Sequence, residues 1–246
     1  MASKPAGIAA FQDAALTPSV RGFLHSPANP NGNALVLAHG AGSNCNAPLL
    51  IALAESFAAR GYAVLRCDLP FRQDRRTGPP FPGNAERDRA GLRNAVGAMR
   101  ELYSGRLFLG GHSYGGRQST MLCAAEPDLV AGLLLLSYPL HPPRKPEQMR
   151  TQHLPDLRTS SIFVHGTRDP FGSIEEMEKA LQLAPGRKEL LAVEGAGHDL
   201  GFSGKKSAQE LPDRVFRAWV AMFPEIPVSA GDQSPDLLQK IKQTHL

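Results

Sequence analysis

The sequence predicts an α/β fold in one domain, built on a mostly parallel sheet with helices on both faces. Three observations lead to it. Short apolar runs alternate with longer segments of helical periodicity along most of the chain, as parallel sheets with crossover helices require. Runs such as ALVLA at 34–38 and LLLL at 133–136 are apolar without interruption, as strands buried on both faces are. The 246 residues, 42% of them hydrophobic and 20% charged, can fill one sizeable core and do not resemble a disordered chain.

The elements follow in order. Residues 20–24 form a possible edge strand. Residues 34–38 are a buried strand that runs into His39-Gly40. A helix over 48–60 stops at Gly61, and a second strand spans 62–67. The Pro- and Arg-rich stretch 71–83 reads as a loop. A long helix covers 85–103, with Leu92, Val96, Met99 and Leu102 three or four residues apart. A strand at 107–110 enters Gly111-His112-Ser113-Tyr114-Gly115, and a helix over 116–125 follows. Strands are expected at 133–136, 161–164 and 189–193. Between the last two, Ser173 and Glu176 have the spacing of a capping box for a helix over 173–183. A helix over 209–223 closes the domain. The predicted organisation is an N-terminal extension over 1–31, a domain over 32–223 and a loosely attached tail over 224–246.

Composition excludes several classes. The net charge is +4, and the basic residues are dispersed, not gathered into the stripe of a nucleic-acid binder. No run of eighteen apolar residues suggests a membrane span, and the first ten residues lack the apolar segment of a signal peptide. Cys45, Cys67 and Cys123 are odd in number and widely separated. That fits free thiols in a reducing compartment, so a cytoplasmic protein is expected. No metal-binding spacing occurs, and neither a metal nor a cofactor is expected. The sequence is silent on oligomeric state.

Four turns carry candidate chemistry, each after an expected strand. Gly111-His112-Ser113-Tyr114-Gly115 matches G-x-S-x-G between a strand and a helix. A sharp turn there projects the Ser113 hydroxyl, and side chains at Gly111 or Gly115 would collide. His39-Gly40-Ala41-Gly42-Ser43-Asn44 can aim a main-chain N–H, from Ala41 or secondarily Gly42, at the point addressed by the Tyr114 amide. Two such donors stabilise negative charge on a carbonyl oxygen. His165-Gly166-Thr167-Arg168-Asp169-Pro170 offers a carboxylate just past a strand. Asp68 is the alternative, although it precedes the serine. Gly195-Ala196-Gly197-His198-Asp199 supplies an imidazole able to take a serine proton. The candidates are therefore Ser113 as nucleophile, His198 as base, Asp169 as its orienting acid, and Ala41 and Tyr114 as oxyanion donors. His39, Gly42, His112, Arg72 and Arg117 are candidate substrate contacts.

The order Ser…Asp…His and the phrases HGAGSN, GHSYGGR, HGTRDPF and GAGHDLGF resemble the α/β-hydrolase superfamily over about 32–223. They look most similar to its small KANL3/Tex30-like and dienelactone-hydrolase-like branch. The resemblance implies an eight-stranded, mostly parallel sheet with a Ser-His-Asp triad at its carboxyl edge. It does not fix a substrate, because this fold hosts esterases, thioesterases, peptidases, dehalogenases and non-enzymatic members; the roles of the four turns lead to the expectation of a small ester- or thioester-type bond cleaved without a cofactor. The dienelactone hydrolases proper use cysteine where this chain has Ser113. Many relatives carry a helical cap between the strands expected here at 133–136 and 161–164. The intervening stretch is short and proline-rich, so no large cap domain is expected. Arg72, Arg75, Arg76 and Arg117 raise the expectation of an anionic substrate. Two other readings fit the fold: a non-catalytic scaffold that binds a protein partner, and a cofactor-free perhydrolase.

Overall fold

A computed structural model describes residues 7–202 and 210–224. Among these described residues, eight strands form one sheet in the order β1-β2-β4-β3-β5-β6-β7-β8. They are β1 (Gly7–Asp13), β2 (Val20–Ser26), β3 (Ala34–Ala38), β4 (Ala63–Cys67), β5 (Leu107–His112), β6 (Gly132–Leu136), β7 (Ser161–Gly166) and β8 (Lys188–Val193). Pairing is parallel from β4 to β8, and antiparallel for β1 with β2 and β2 with β4.

Among the described residues six helices flank the sheet: α1 (Pro48–Ala58), α2 (Pro70–Asp74), α3 (Asn84–Leu102), α4 (Tyr114–Ala125), α5 (Ile174–Leu181) and α6 (Leu211–Met222). The period-2 alternation of a strand sorts the core into two layers. Leu35, Leu37, Leu134 and Leu136 face Phe57 of α1 and Trp219 of α6. Val36, Leu133 and Leu135 face Leu92 and Met99 of α3, Leu122 of α4 and Met177 of α5. Each fully buried leucine contributes about 1.5–3 kcal/mol, so these two layers supply most of the stability.

The sheet has a functional geometry. From β3 the chain crosses to β4 on one side, then to β5 on the other, and continues outward through β6, β7 and β8. The loops after β3 and β5 therefore leave the same sheet edge in opposite directions. Such a topological switch point opens a crevice at the carboxyl ends of the strands.

Several expectations change in detail. The first thirty residues supply two strands, since β1 adds an edge to β2. The stretch 71–83 begins with a short helix, α2, because Pro70 stands at its first turn, where the missing N–H costs nothing. Ser173 and Glu176 do form the capping box of α5. Between β6 and β7 the only regular element is a 3-10 turn, Leu154–Asp156, so among the described residues no helical cap stands between these strands. The tail expected over 224–246 lies outside the described residues beyond Pro224, as does the start of the expected 209–223 helix at 209. Among the described residues no helix is long and apolar enough to cross a membrane.

Candidate active site

Ser113 stands between β5 and α4 with φ 51° and ψ −113°. A non-glycine residue rarely adopts this conformation, which costs on the order of 1–3 kcal/mol. The surroundings hold it there. The Ser113 N–H donates to the Leu136 carbonyl at 2.8 Å, and its carbonyl accepts from the Arg117 N–H at 2.9 Å. The flanking glycines are sterically required. A Cβ on Gly111 would sit 2.4 Å from the Ala38 oxygen, and one on Gly115 2.7 Å from the His39 oxygen. The turn can pack against β3 only without those side chains.

A chain of hydrogen bonds leads from Ser113. His198 Nε2 lies 2.8 Å from Ser113 Oγ, and His198 Nδ1 lies 2.8 and 3.0 Å from the two Asp169 oxygens. The Asp169 side chain is fully buried, whereas His198 is 22% exposed. The carboxylate is fixed further by the Phe171 N–H, which donates to Oδ1 at 2.9 Å. Each residue comes from a different strand end: Ser113 follows β5, Asp169 follows β7 and His198 follows β8. With Nδ1–H donating to Asp169, Nε2 presents a lone pair to the serine hydroxyl.

The loop after β3 lies against this turn. A Cβ on Gly40 would come within 3.4 Å of Ser113 Cβ. The Ala41 and Tyr114 N–H groups donate to no protein acceptor among the described residues. Tyr114 occupies the first position of α4, where a helix leaves its N–H groups without partners. A Cβ on Gly42 would meet nothing within 4 Å, so Gly42 borders open space.

Four of the residues singled out in the sequence, Arg72, His39, Asp68 and Arg75, are engaged inside the protein. Arg72 does not face a ligand. It is 5% exposed, and its guanidinium donates to the carbonyls of Ser43 (2.7 Å), Ala41 (2.9 Å), Gly78 (2.8 Å) and Arg75 (3.1 Å). It therefore fixes the loop that carries Ala41. His39 is completely buried. Its Nδ1 donates to the Gly40 carbonyl at 2.8 Å, and its Nε2 accepts from the Leu69 N–H at 3.1 Å, so it is structural. Burial lowers its pKa and keeps that pattern intact. Asp68, the alternative orienting acid, accepts from the Cys45 N–H at 2.8 Å and lies 3.5 Å from Arg21; it organises the 39–45 loop instead of His198. Arg75 is engaged with the Pro79 carbonyl and stacks on Phe81.

His112 also works inside the protein. Its Nε2 lies 2.7 Å from the His198 carbonyl, and burial pushes the imidazole down to about 4. The neutral ring donates to that carbonyl and so tethers the His198 loop to β5. Arg117 is half-buried one turn along α4.

Two contributors escaped the sequence. Phe171 stacks on the His198 ring, with centroids 4.2 Å apart and planes inclined by 31°. Its place two residues after Asp169, where a carboxylate commonly closes a turn on the second N–H that follows, was the available signal. Asp88 is buried and accepts from the Tyr114 hydroxyl at 2.7 Å and the Phe71 N–H at 3.0 Å. Burial raises its pKa. Asp88 falls four residues before Leu92, on the apolar stripe of α3; an acid at such a position is a signal of a buried task.

Comparison with known proteins gives a consistent result. A family model described as an alpha/beta hydrolase domain matches residues 31–223. Among solved structures, an alpha-beta serine hydrolase homologue from Coxiella burnetii superposes with a TM-score of 0.68 at 15% identity, covering 85% of this chain and 96% of the other. A dienelactone hydrolase from Anabaena variabilis gives 0.69 at 19% identity, covering 89% and 98%. A serine hydrolase described as lacking a lid, from Xanthomonas campestris, gives 0.65 at 14% identity, covering 88% and 96%. At these identities the structural likeness speaks for the fold.

Proposed function

We propose that this chain, which belongs to the alpha/beta hydrolase domain family, is a serine hydrolase that cleaves a small ester- or thioester-type bond through an acyl-enzyme. The observation that carries the reading is the unbroken path Ser113–His198–Asp169, with contacts of 2.8 Å at both steps.

In this mechanism His198 Nε2 removes the hydroxyl proton as Ser113 Oγ attacks the substrate carbonyl. Asp169 holds the Nδ1–H tautomer and stabilises the imidazolium that forms. The negative charge on the carbonyl oxygen is met by the N–H groups of Ala41 and Tyr114, both without other partners. The tetrahedral intermediate collapses, and the leaving alcohol or thiol departs with the proton from His198. Water, deprotonated by the same nitrogen, attacks the acyl-enzyme. The acid is released, and the proton returns to Ser113. Arg72, His112, Phe171 and Asp88 act indirectly by holding the loops and the ring in place.

The open sheet edge favours short acyl groups, since each methylene left in water forfeits about 0.8 kcal/mol. The motif phrases HGTRDPF and GAGHDLGF support a place in the small KANL3/Tex30-like branch. Three buried cysteines without a disulfide fit a cytoplasmic location. The test is hydrolysis of 4-nitrophenyl esters from acetyl to dodecanoyl. Short esters should turn over, and Ser113→Ala should lower kcat by at least about 10³-fold with stability retained. Equal rates for both proteins would return the chain to the scaffold reading, and a preference beyond about eight carbons would refute the open-site argument.

A further inference from the structure

Three arginines gather on the flank of Ser113. Arg117 lies four residues beyond it on α4. The Arg117 N–H donates to the Ser113 carbonyl at 2.9 Å, and long side chains in a helix lean toward its N-terminus. Arg117 therefore runs back toward the nucleophile turn. Its Nε is buried and has no hydrogen-bond partner among the described residues. Arg150 arrives from the segment between β6 and β7; its main chain is tied to Leu140 and to the Tyr138 hydroxyl, while its guanidinium donates to the Pro139 carbonyl at a long 3.4 Å. Arg117 is close enough to repel it, and burial and that repulsion together lower the Arg150 pKa. Arg89 reaches across from α3 to Gln118 Oε1 at 3.0 Å.

The neighbours are polar but supply no counter-charge. His153 Nε2 sits 2.8 Å from Thr120 Oγ1 and 3.4 Å from the Tyr138 hydroxyl. Burial, then the fields of Arg117 and Arg89, push His153 down to about 4, so it stays neutral. Asp88 is committed to Tyr114 and Phe71. None of the ion pairs among the described residues includes Arg89, Arg117 or Arg150. A buried guanidinium nitrogen without an acceptor is costly, and a planar two-oxygen anion is the complement that guanidinium forks fit.

We propose that Arg117 and Arg150, supported by Arg89, form a subsite for a carboxylate of the substrate, so that the preferred ester carries an anionic group within a few bonds of the scissile carbonyl. The inference rests on the hydrolase reading above and names its substrate class. Of the arginines expected from the sequence to meet an anion, Arg117 belongs to this cluster, whereas Arg72 and Arg75 are consumed by main-chain carbonyls.

Two arms test it. In the first, kcat/KM is measured for 4-nitrophenyl hemiglutarate against 4-nitrophenyl butyrate, and for 4-carboxyphenyl acetate against phenyl acetate. The first pair places the charge on the acyl side, the second on the leaving group. One anionic member should be preferred over its neutral partner. Arg117→Gln should lower that anionic-to-neutral ratio by about 10–100-fold, Arg117→Lys should restore part of it, and Arg150→Gln should lower it independently. In the second arm, binding of glutarate and of inorganic phosphate to the wild-type protein and to both Gln variants is followed by calorimetry, with circular dichroism to verify folding. Glutarate should bind the wild type at least about 10-fold more tightly than either variant. Unchanged ratios together with variant-independent glutarate binding would overturn the subsite. Arg117-dependent binding of phosphate without glutarate would overturn its assignment to carboxylates. Absence of hydrolysis of every ester, with Arg117-dependent glutarate binding intact, would overturn the hydrolase reading and support the subsite.

Discussion

Replacing Arg72 with methionine separates a structural arginine from a ligand-binding one. Its guanidinium donates to four carbonyls, those of Ala41, Ser43, Arg75 and Gly78, at 2.7–3.1 Å. A hydrogen bond from a charged donor contributes about 1.5–3 kcal/mol, so four sum to roughly 6–12 kcal/mol. Burying the guanidinium costs several kcal/mol of that, and the carbonyls at the exposed end of the 75–78 loop regain water in the variant. The expected loss is about 3–5 kcal/mol. Because Ala41 sits in the loop that Arg72 fixes, kcat for 4-nitrophenyl acetate should also fall about 10–100-fold, somewhat less than loss of an oxyanion donor outright. Urea denaturation followed by circular dichroism gives the first number and steady-state kinetics the second. Arg72→Met with stability within about 1 kcal/mol of wild type, unchanged kcat and a raised KM for anionic esters alone would refute the reasoning and return Arg72 to substrate binding.

Further expectations follow from the same contacts. Asp169→Asn should reduce kcat by about 10⁴-fold, because the amide favours the wrong tautomer of His198, while Asp68→Asn should change it less than about tenfold, its oxygen facing the Cys45 N–H; the reverse order would move the orienting role to Asp68. Stability should be level near pH 8 and fall as pH drops through 6.5 toward 4, since burial pushes His25, His112 and His153 down from 6.5 to about 4. In that window the unfolded chain binds protons that the folded one refuses, so unfolding free energy measured from pH 8 to 4 should show uptake of up to about three protons from these rings; a curve flat to pH 4 would contradict it.

Much of this fold was legible because parallel strands buried on both faces leave continuous apolar runs. Leu133–Leu136 needs no partner to be recognised. Edge strands leave no such trace. In β1 the sequence GIAAFQD is mostly exposed and is held by main-chain pairing with β2, a contribution to which side-chain patterning is blind. The positions of Ser113, Asp169 and His198 were legible because each is flanked by small or turn-forming residues just past a strand. Residue type says little about where a long side chain ends, however. Arg72 sits in a basic loop that suggests a ligand, yet it is spent on carbonyls of its own chain. Arg150 lies in a proline-rich stretch with no motif, and only the tertiary fold brings it beside Arg117.

The central claim is that Ser113 is an activated nucleophile. The most direct measurement is covalent labelling with an alkyl fluorophosphonate, read by intact mass and by peptide mapping. A serine poised 2.8 Å from His198 Nε2 should take up one adduct, located on Ser113, and both Ser113→Ala and His198→Ala should abolish the label. An unlabelled wild-type protein, or an adduct on another residue that persists in Ser113→Ala, would contradict it.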